Sequence, residues 1–89
     1  MAVTGAEKQV ALMTTAGDEL SGKQLVRHMR WVGGTTSGHS LVVTDSGGTV
    51  IWESIADGAN YIDVHPFYRF FSGVKIQTMQ SGRLYVYLS

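Results

Sequence analysis

Gly33 and Gly38, followed by His39 and Ser40, stand at the spacing of a phosphate-binding loop, G-x-x-x-x-G-K-[ST], with histidine where lysine belongs. That chemistry needs a helix directly after the serine, so that its exposed amides face the phosphates. Here Ser40 leads into LVVT, a β-branched run that ends at a turn. Histidine is also shorter than lysine and mostly neutral at pH 7. The stretch VGGTTSGHS therefore reads as a connection between strands. VVTDSGG, residues 42–48, raises a second possibility, because Asp-Ser-Gly after an apolar strand occurs in the catalytic loop of aspartic proteases. Thr44 interrupts the strand leading to Asp45, and the later apolar-apolar-glycine segment with its helix is missing. Asp-Ser-Gly-Gly between apolar strands is a common turn for conformational reasons alone. His28, His39 and His65 lie in separate segments without the i, i+2 or i, i+4 spacing that places two ligands on one face. Asp45, Asp57 and Asp63 lack the dense oxygen-ligand spacing of a calcium loop. No serine sits in G-x-S-x-G. The expectation is a protein without catalytic residues, metal or cofactor.

The elements that would position these residues are strands. Residues 24–32, QLVRHMRWV, are rich in β-formers, with Leu25, Met29 and Trp31 on one side and Val26, His28, Arg30 and Val32 on the other. SLVVT and TVIWES flank Asp45-Ser46-Gly47-Gly48, a hairpin signal. GVKIQTM and RLYVYLS flank Gln80-Ser81-Gly82, which predicts a second hairpin. In the last segment Leu84, Val86 and Leu88 alternate with Arg83, Tyr85 and Tyr87. Between the hairpins, residues 56–72 predict a turn at Asp57-Gly58, a short strand at NYID, and extended geometry before Pro66. Phe67, Tyr68, Phe70 and Phe71 then form either one turn of helix or an aromatic loop. The predicted fold is all-β: a small antiparallel sandwich or barrel of five to six strands spanning residues 24–89. Residues 1–23 contain no aromatic side chain and read as an N-terminal arm. The arm is either extended or a short helix, with Thr4 and Glu7 at capping-box spacing and Val10, Ala11 and Met13 along one side.

A chain of 89 residues buries only about 60–65% of its unfolded surface, so its stability is marginal without a supplement. It has no cysteine, which leaves association as the expected supplement. Seven basic and seven acidic residues cancel, so the basic excess that marks nucleic-acid binding is absent. No apolar run is long enough to cross a bilayer, and the N-terminus does not read as a signal peptide. Charged residues make up 16% of the chain, against roughly 25% in ordinary domains, which points to surface covered by protein. Trp31, Trp52 and Leu84 are the expected core. Tyr85 and Tyr87 face away from it. Together with Val10, Leu12, Met13, Phe67, Tyr68, Phe70 and Phe71 they form the candidate interface. Exposed tyrosines also admit a sugar-binding reading.

RWVGGTTSGHSLVVTDSGGTVIWESIADGANYID and the closing GVKIQTMQSGRLYVYLS resemble small β-rich proteins encoded among the structural genes of tailed bacteriophages. In those chains a W-V-G-x-T-x-x-G-H start, a D-x-x-G-x-V-x-W hairpin and a final G-x-K-V/I-x-T-x-x-S-G-x-L-Y-V-Y stretch recur. The resemblance runs from Arg30 to the C-terminus and leaves residues 1–23 outside it. It implies a virion component made in the host cytoplasm, and it carries over no catalytic residues. Among virion roles, a capsid decoration or cement protein fits the small, low-charge, aromatic-rich chain. Its partners would be copies of itself, with a trimer favoured, and the major capsid protein or other virion proteins. A tail, neck or fibre-attachment component and a host-surface carbohydrate-binding module are the alternatives.

Overall fold

The computed structural model describes residues 3–4, 10–58 and 61–88. Its elements are strands: β1 (Val3–Thr4), β2 (Val10–Met13), β3 (Glu19–Gly34), β4 (Ser40–Thr44), β5 (Val50–Ile55), β6 (Tyr61–Met79) and β7 (Arg83–Leu88). They form one sheet in the order β1-β2-β7-β3-β6-β4-β5, and every pairing is antiparallel. The all-β architecture is as the residue pattern predicts.

The frame is a long ribbon of β3 and β6, paired from Glu19↔Lys75 at one end to Gly34↔Tyr61 at the other. β7, β2 and β1 extend it from the C-terminal half of β3. β4 and β5 extend it from the C-terminal half of β6, which is the opposite end of the ribbon. Twist brings these two extensions face to face. One core results, to which β2 through β7 each contribute, and Trp31, Met13, Met29, Leu41, Ile76 and Leu84 are among its fully buried side chains.

The ribbon turns its corner at a bulge. Pairing skips from Val26↔Arg69 to His28↔Pro66, leaving Arg27, Phe67 and Tyr68 out of register. Tyr68 has φ +53°, a conformation that a bulky residue rarely adopts. An extra residue flips side-chain parity. Val26 therefore joins Met29 and Trp31 in the core, whereas the plain alternation of residues 24–32 had put it on the opposite side.

Three further expectations are corrected. Phe67, Tyr68, Phe70 and Phe71 form neither a helical turn nor an aromatic loop: they lie within β6, which runs from Tyr61 to Met79 without interruption. Pro66 fits there because β6 faces an open gap on one side and the bulge adjoins it. The second hairpin does not form, since β7 pairs with β3 and β2 while β6 pairs with β3 and β4. Finally, the part of residues 1–23 that is described belongs to the sheet. Val10–Met13 is strand rather than helix, it pairs with β7, and Ala11 and Met13 are buried; β3 starts at Glu19. Thr4 lies in β1, and Glu7 falls outside the described residues.

Two turns repeat one design. Thr14-Thr15-Ala16-Gly17-Asp18 and Thr35-Thr36-Ser37-Gly38-His39 carry glycines at φ +93° and +90°. In the first, Asp18 N donates to Thr15 O, Gly17 N to Ile76 O and Ile76 N to Asp18 O. In the second, His39 N donates to Thr36 O, Gly38 N to Ala56 O and Ala56 N to His39 O. Buried Asp18 accepts from Thr14 N and Thr15 N at 3.0 and 3.1 Å. In the second turn His39 Nδ1 lies against Ser81 Oγ, and Thr35 N donates to that same oxygen at 3.0 Å.

Candidate functional site

The residues with catalytic potential are occupied with structure. Ser40 opens strand β4, so no helix follows the glycine-rich stretch. That stretch is held by the turn before β7. Trp31 Nε1 donates to Ser81 O at 2.9 Å, Ser40 N donates to Gln80 Oε1 at 2.7 Å, and His39 Nδ1 lies 3.0 Å from Ser81 Oγ. Asp45 Oδ1 accepts from Gly47 N and Thr49 N, both at 2.9 Å, which closes the β4–β5 turn. The histidines remain apart. His28 stacks on Tyr87 at 4.1 Å, His39 meets Ser81, and His65 adjoins Trp52 and Phe67. Among the described residues no group of three or more His, Asp or Glu could hold a metal ion.

What the strands do assemble is an extended surface. Along β7 Leu84, Val86 and Leu88 point inward, so Arg83, Tyr85 and Tyr87 point outward. Register carries that face across four strands. Val10, Tyr87, His28 and Pro66 form one row, and Leu12, Tyr85, Arg30 and Val64 form the next. Arg83, Val32 and Ile62 form a third, shorter row. Thus Val10, Leu12, Tyr85 and Tyr87, scattered in the sequence, share one side of the sheet. Met13 does not belong there; it is fully buried, one position out of phase with Leu12. The face is apolar and aromatic, and its charged members are Arg30 and Arg83, with His28 beside them. Arg83 Nε donates to the Tyr85 hydroxyl at 3.0 Å.

The remaining candidates divide at the bulge. Tyr68 and Phe70 project outward, 69% and 55% exposed, with Lys23 Nζ 4.5 Å from the Phe70 ring centre. Phe67 and Phe71 turn the other way and pack on the core edge to face, 5.5 Å apart. They line a cleft of about 540 Å³ together with Asp45, Thr49, His65 and Arg69. The cleft exists because β5 and β6 run side by side without a backbone ladder. Near one end side chains join them: Ser54 Oγ donates to Asp63 Oδ2 at 2.5 Å, and the Trp52 and His65 rings lie 6.0 Å apart. Toward the β4–β5 turn the strands part. Arg69 lies over Phe71 with 5.1 Å from guanidinium carbon to ring centre.

The exposed apolar residues of β5 and β6, Val50, Ile55, Ile62 and Val64, were not among the candidates. Alternation over residues 61–64 was the available signal, but it is masked by the bulge that follows. No protein-family model matches the chain, and neither a curated protein nor a solved structure matches it.

Proposed function

We propose that this chain is a non-enzymatic virion structural protein, a capsid decoration or cement protein that binds and stabilises a shell of major capsid protein. One observation carries the reading. Among the described residues, the large hydrophobic side chains left exposed are Val50, Ile55, Ile62, Val64, Tyr68 and Phe70, all on β5 or β6. Ile62 and Val64 stand two apart on one face of β6, and Tyr68 and Phe70 two apart at and beyond the bulge; neighbouring exposed apolar groups of this kind mark surfaces that meet protein. Tyr68 and Phe70, at the protruding corner of the ribbon, are the contact to the shell. Tyr68 also holds a strained backbone there, which is characteristic of working positions. Lattice contacts would add the stability that a core this small lacks.

Replacing Tyr68 and Phe70 together by aspartate tests this. The folded monomer should persist, because both side chains are exposed. Copies per purified particle should fall at least about tenfold, since a buried charge in an interface costs more than 1.4 kcal/mol. Unchanged occupancy would refute the assignment.

A second reading, a host-surface carbohydrate-binding module, draws on the cleft. There Asp45, Thr49, His65 and Arg69 supply hydrogen-bonding groups beside Phe67 and Phe71. Saturable quenching of Trp52 emission by a soluble glycan, lost in Arg69→Ala, would favour it over the shell-binding role.

A further inference from the structure

We propose that copies of this chain join head to tail, the outer face of β2, β7, β3 and β6 in one copy covering the outer face of the β4–β5 hairpin in the next. Charge sets the two faces apart. The chain is neutral overall, but residues 31–68 contain no lysine or arginine and hold Asp45, Glu53, Asp57 and Asp63. The face built on β7 is the reverse: across its three rows stand Arg30, Arg83 and His28, and no carboxylate. The β4–β5 hairpin itself, residues 40–55, carries Asp45 and Glu53 and no basic residue, and the cation beside it is Lys75, paired with Thr44 on the neighbouring strand.

Shape follows the same division. On β5, Trp52 and Ser54 are buried, so Glu53 and Ile55 point outward; Val42 lies opposite Glu53 and Ser40 opposite Ile55. These residues line a shallow hollow of about 460 Å³ whose ionic group is Glu53. The other face offers Tyr85 with Arg83 bonded to its hydroxyl, flanked by Arg30. Tyrosine and arginine are the side chains that most often anchor interfaces, and a hollow with one carboxylate is the complement they require. The two surfaces differ, so the contact is heterologous. Repeated, it closes into a ring or continues as a filament. It thereby supplies the contact for the self-association that the decoration reading includes, and it rests on that reading only to this extent.

Heterologous contacts have a diagnostic behaviour. Arg83→Glu disables one face and Glu53→Lys the other, and both positions are exposed. The full-length protein, followed by sedimentation velocity up to about 0.5 mM, should form species larger than a monomer, because single weak interfaces reach only micromolar to millimolar affinity. Each variant alone should remain monomeric. Mixed in equal amounts they should assemble again in alternation, since their intact faces pair with each other and their two reversed faces are opposite in charge. The double variant should assemble for the second of these reasons, whereas a mixture of Tyr85→Ser and Ile55→Ser, which restores nothing, should stop at a dimer. Tyr85→Ser and Ile55→Ser repeat the test without charge, and circular dichroism confirms the fold of each variant. A monomeric wild type would overturn the proposal. So would assembly indifferent to either charge reversal, or single variants that fail to combine. Particle occupancy is not measured here, so a failure of shell attachment through Tyr68 and Phe70 is distinguished from a failure of this contact.

Discussion

An alanine at position 82 would set its Cβ 2.5 Å from the Val32 carbonyl oxygen and 2.9 Å from Trp31 Nε1. Position 82 also has φ +81°. Gly38, at φ +90°, has nothing within 4 Å of the same added atom. Gly38→Ala should therefore cost only the left-handed conformation, about 1–2 kcal/mol, and Gly82→Ala about 3 kcal/mol or more. Paired urea titrations would show the difference as a larger fall in midpoint for the second. Asp18→Ala removes the acceptor of two turn amides in a buried position and should cost about 1–3 kcal/mol by the same measurement. Trp31, Trp52 and Leu84 could be recognised as core from the sequence, because bulk and alternation suffice for that. Asp18 could not: nothing in Thr-Thr-Ala-Gly-Asp says that its carboxylate folds back onto the amides of Thr14 and Thr15.

The β4–β5 hairpin was legible because Asp-Ser-Gly-Gly determines it locally. The hairpin expected at Gln80-Ser81-Gly82 had equally good local signals and did not form. There the partner of β6 is chosen by β4, and Ser40 and Thr35 engage the turn itself. The continuity of β6 was hidden for a related reason. A bulge interrupts the period of two just where the aromatics cluster, and only pairing with β3, some forty residues earlier, keeps the strand going. The strain at that bulge is open to measurement. Tyr68→Gly relieves a positive φ in a residue that is 69% exposed, so stability should rise by about 1 kcal/mol. Shell occupancy should fall at the same time. A loss of stability in Tyr68→Gly would mean that the tyrosine ring contributes more than its backbone costs.

Over the whole molecule, the balance of seven against seven charges is legible at once, and its segregation is not. Composition gives a sum, whereas two faces of unlike charge arise when register brings Arg83 and Arg30 onto one surface and Glu53 onto another. Self-association through them should weaken as salt rises from about 50 mM to 500 mM, because exposed charges are screened within a few ångströms at high ionic strength. Sedimentation across that range should follow the trend. The interface candidates were half legible for the same reason. Alternation found Tyr85 and Tyr87, but only pairing shows that Val10 and Leu12 stand beside them and that Ile62 and Val64 complete the surface.

A wall laid in courses comes down along the course without mortar, and here that course runs between β5 and β6. Alternate β5 amides that point away from β4 have no ladder to protect them, so their deuterium uptake should outpace that of β3 and β7. Heating or mild urea should swing the β4–β5 pair outward first and wet the Trp52 indole, which is 9% exposed, before the body melts. A red shift in tryptophan emission that precedes the loss of far-ultraviolet ellipticity would record that first step.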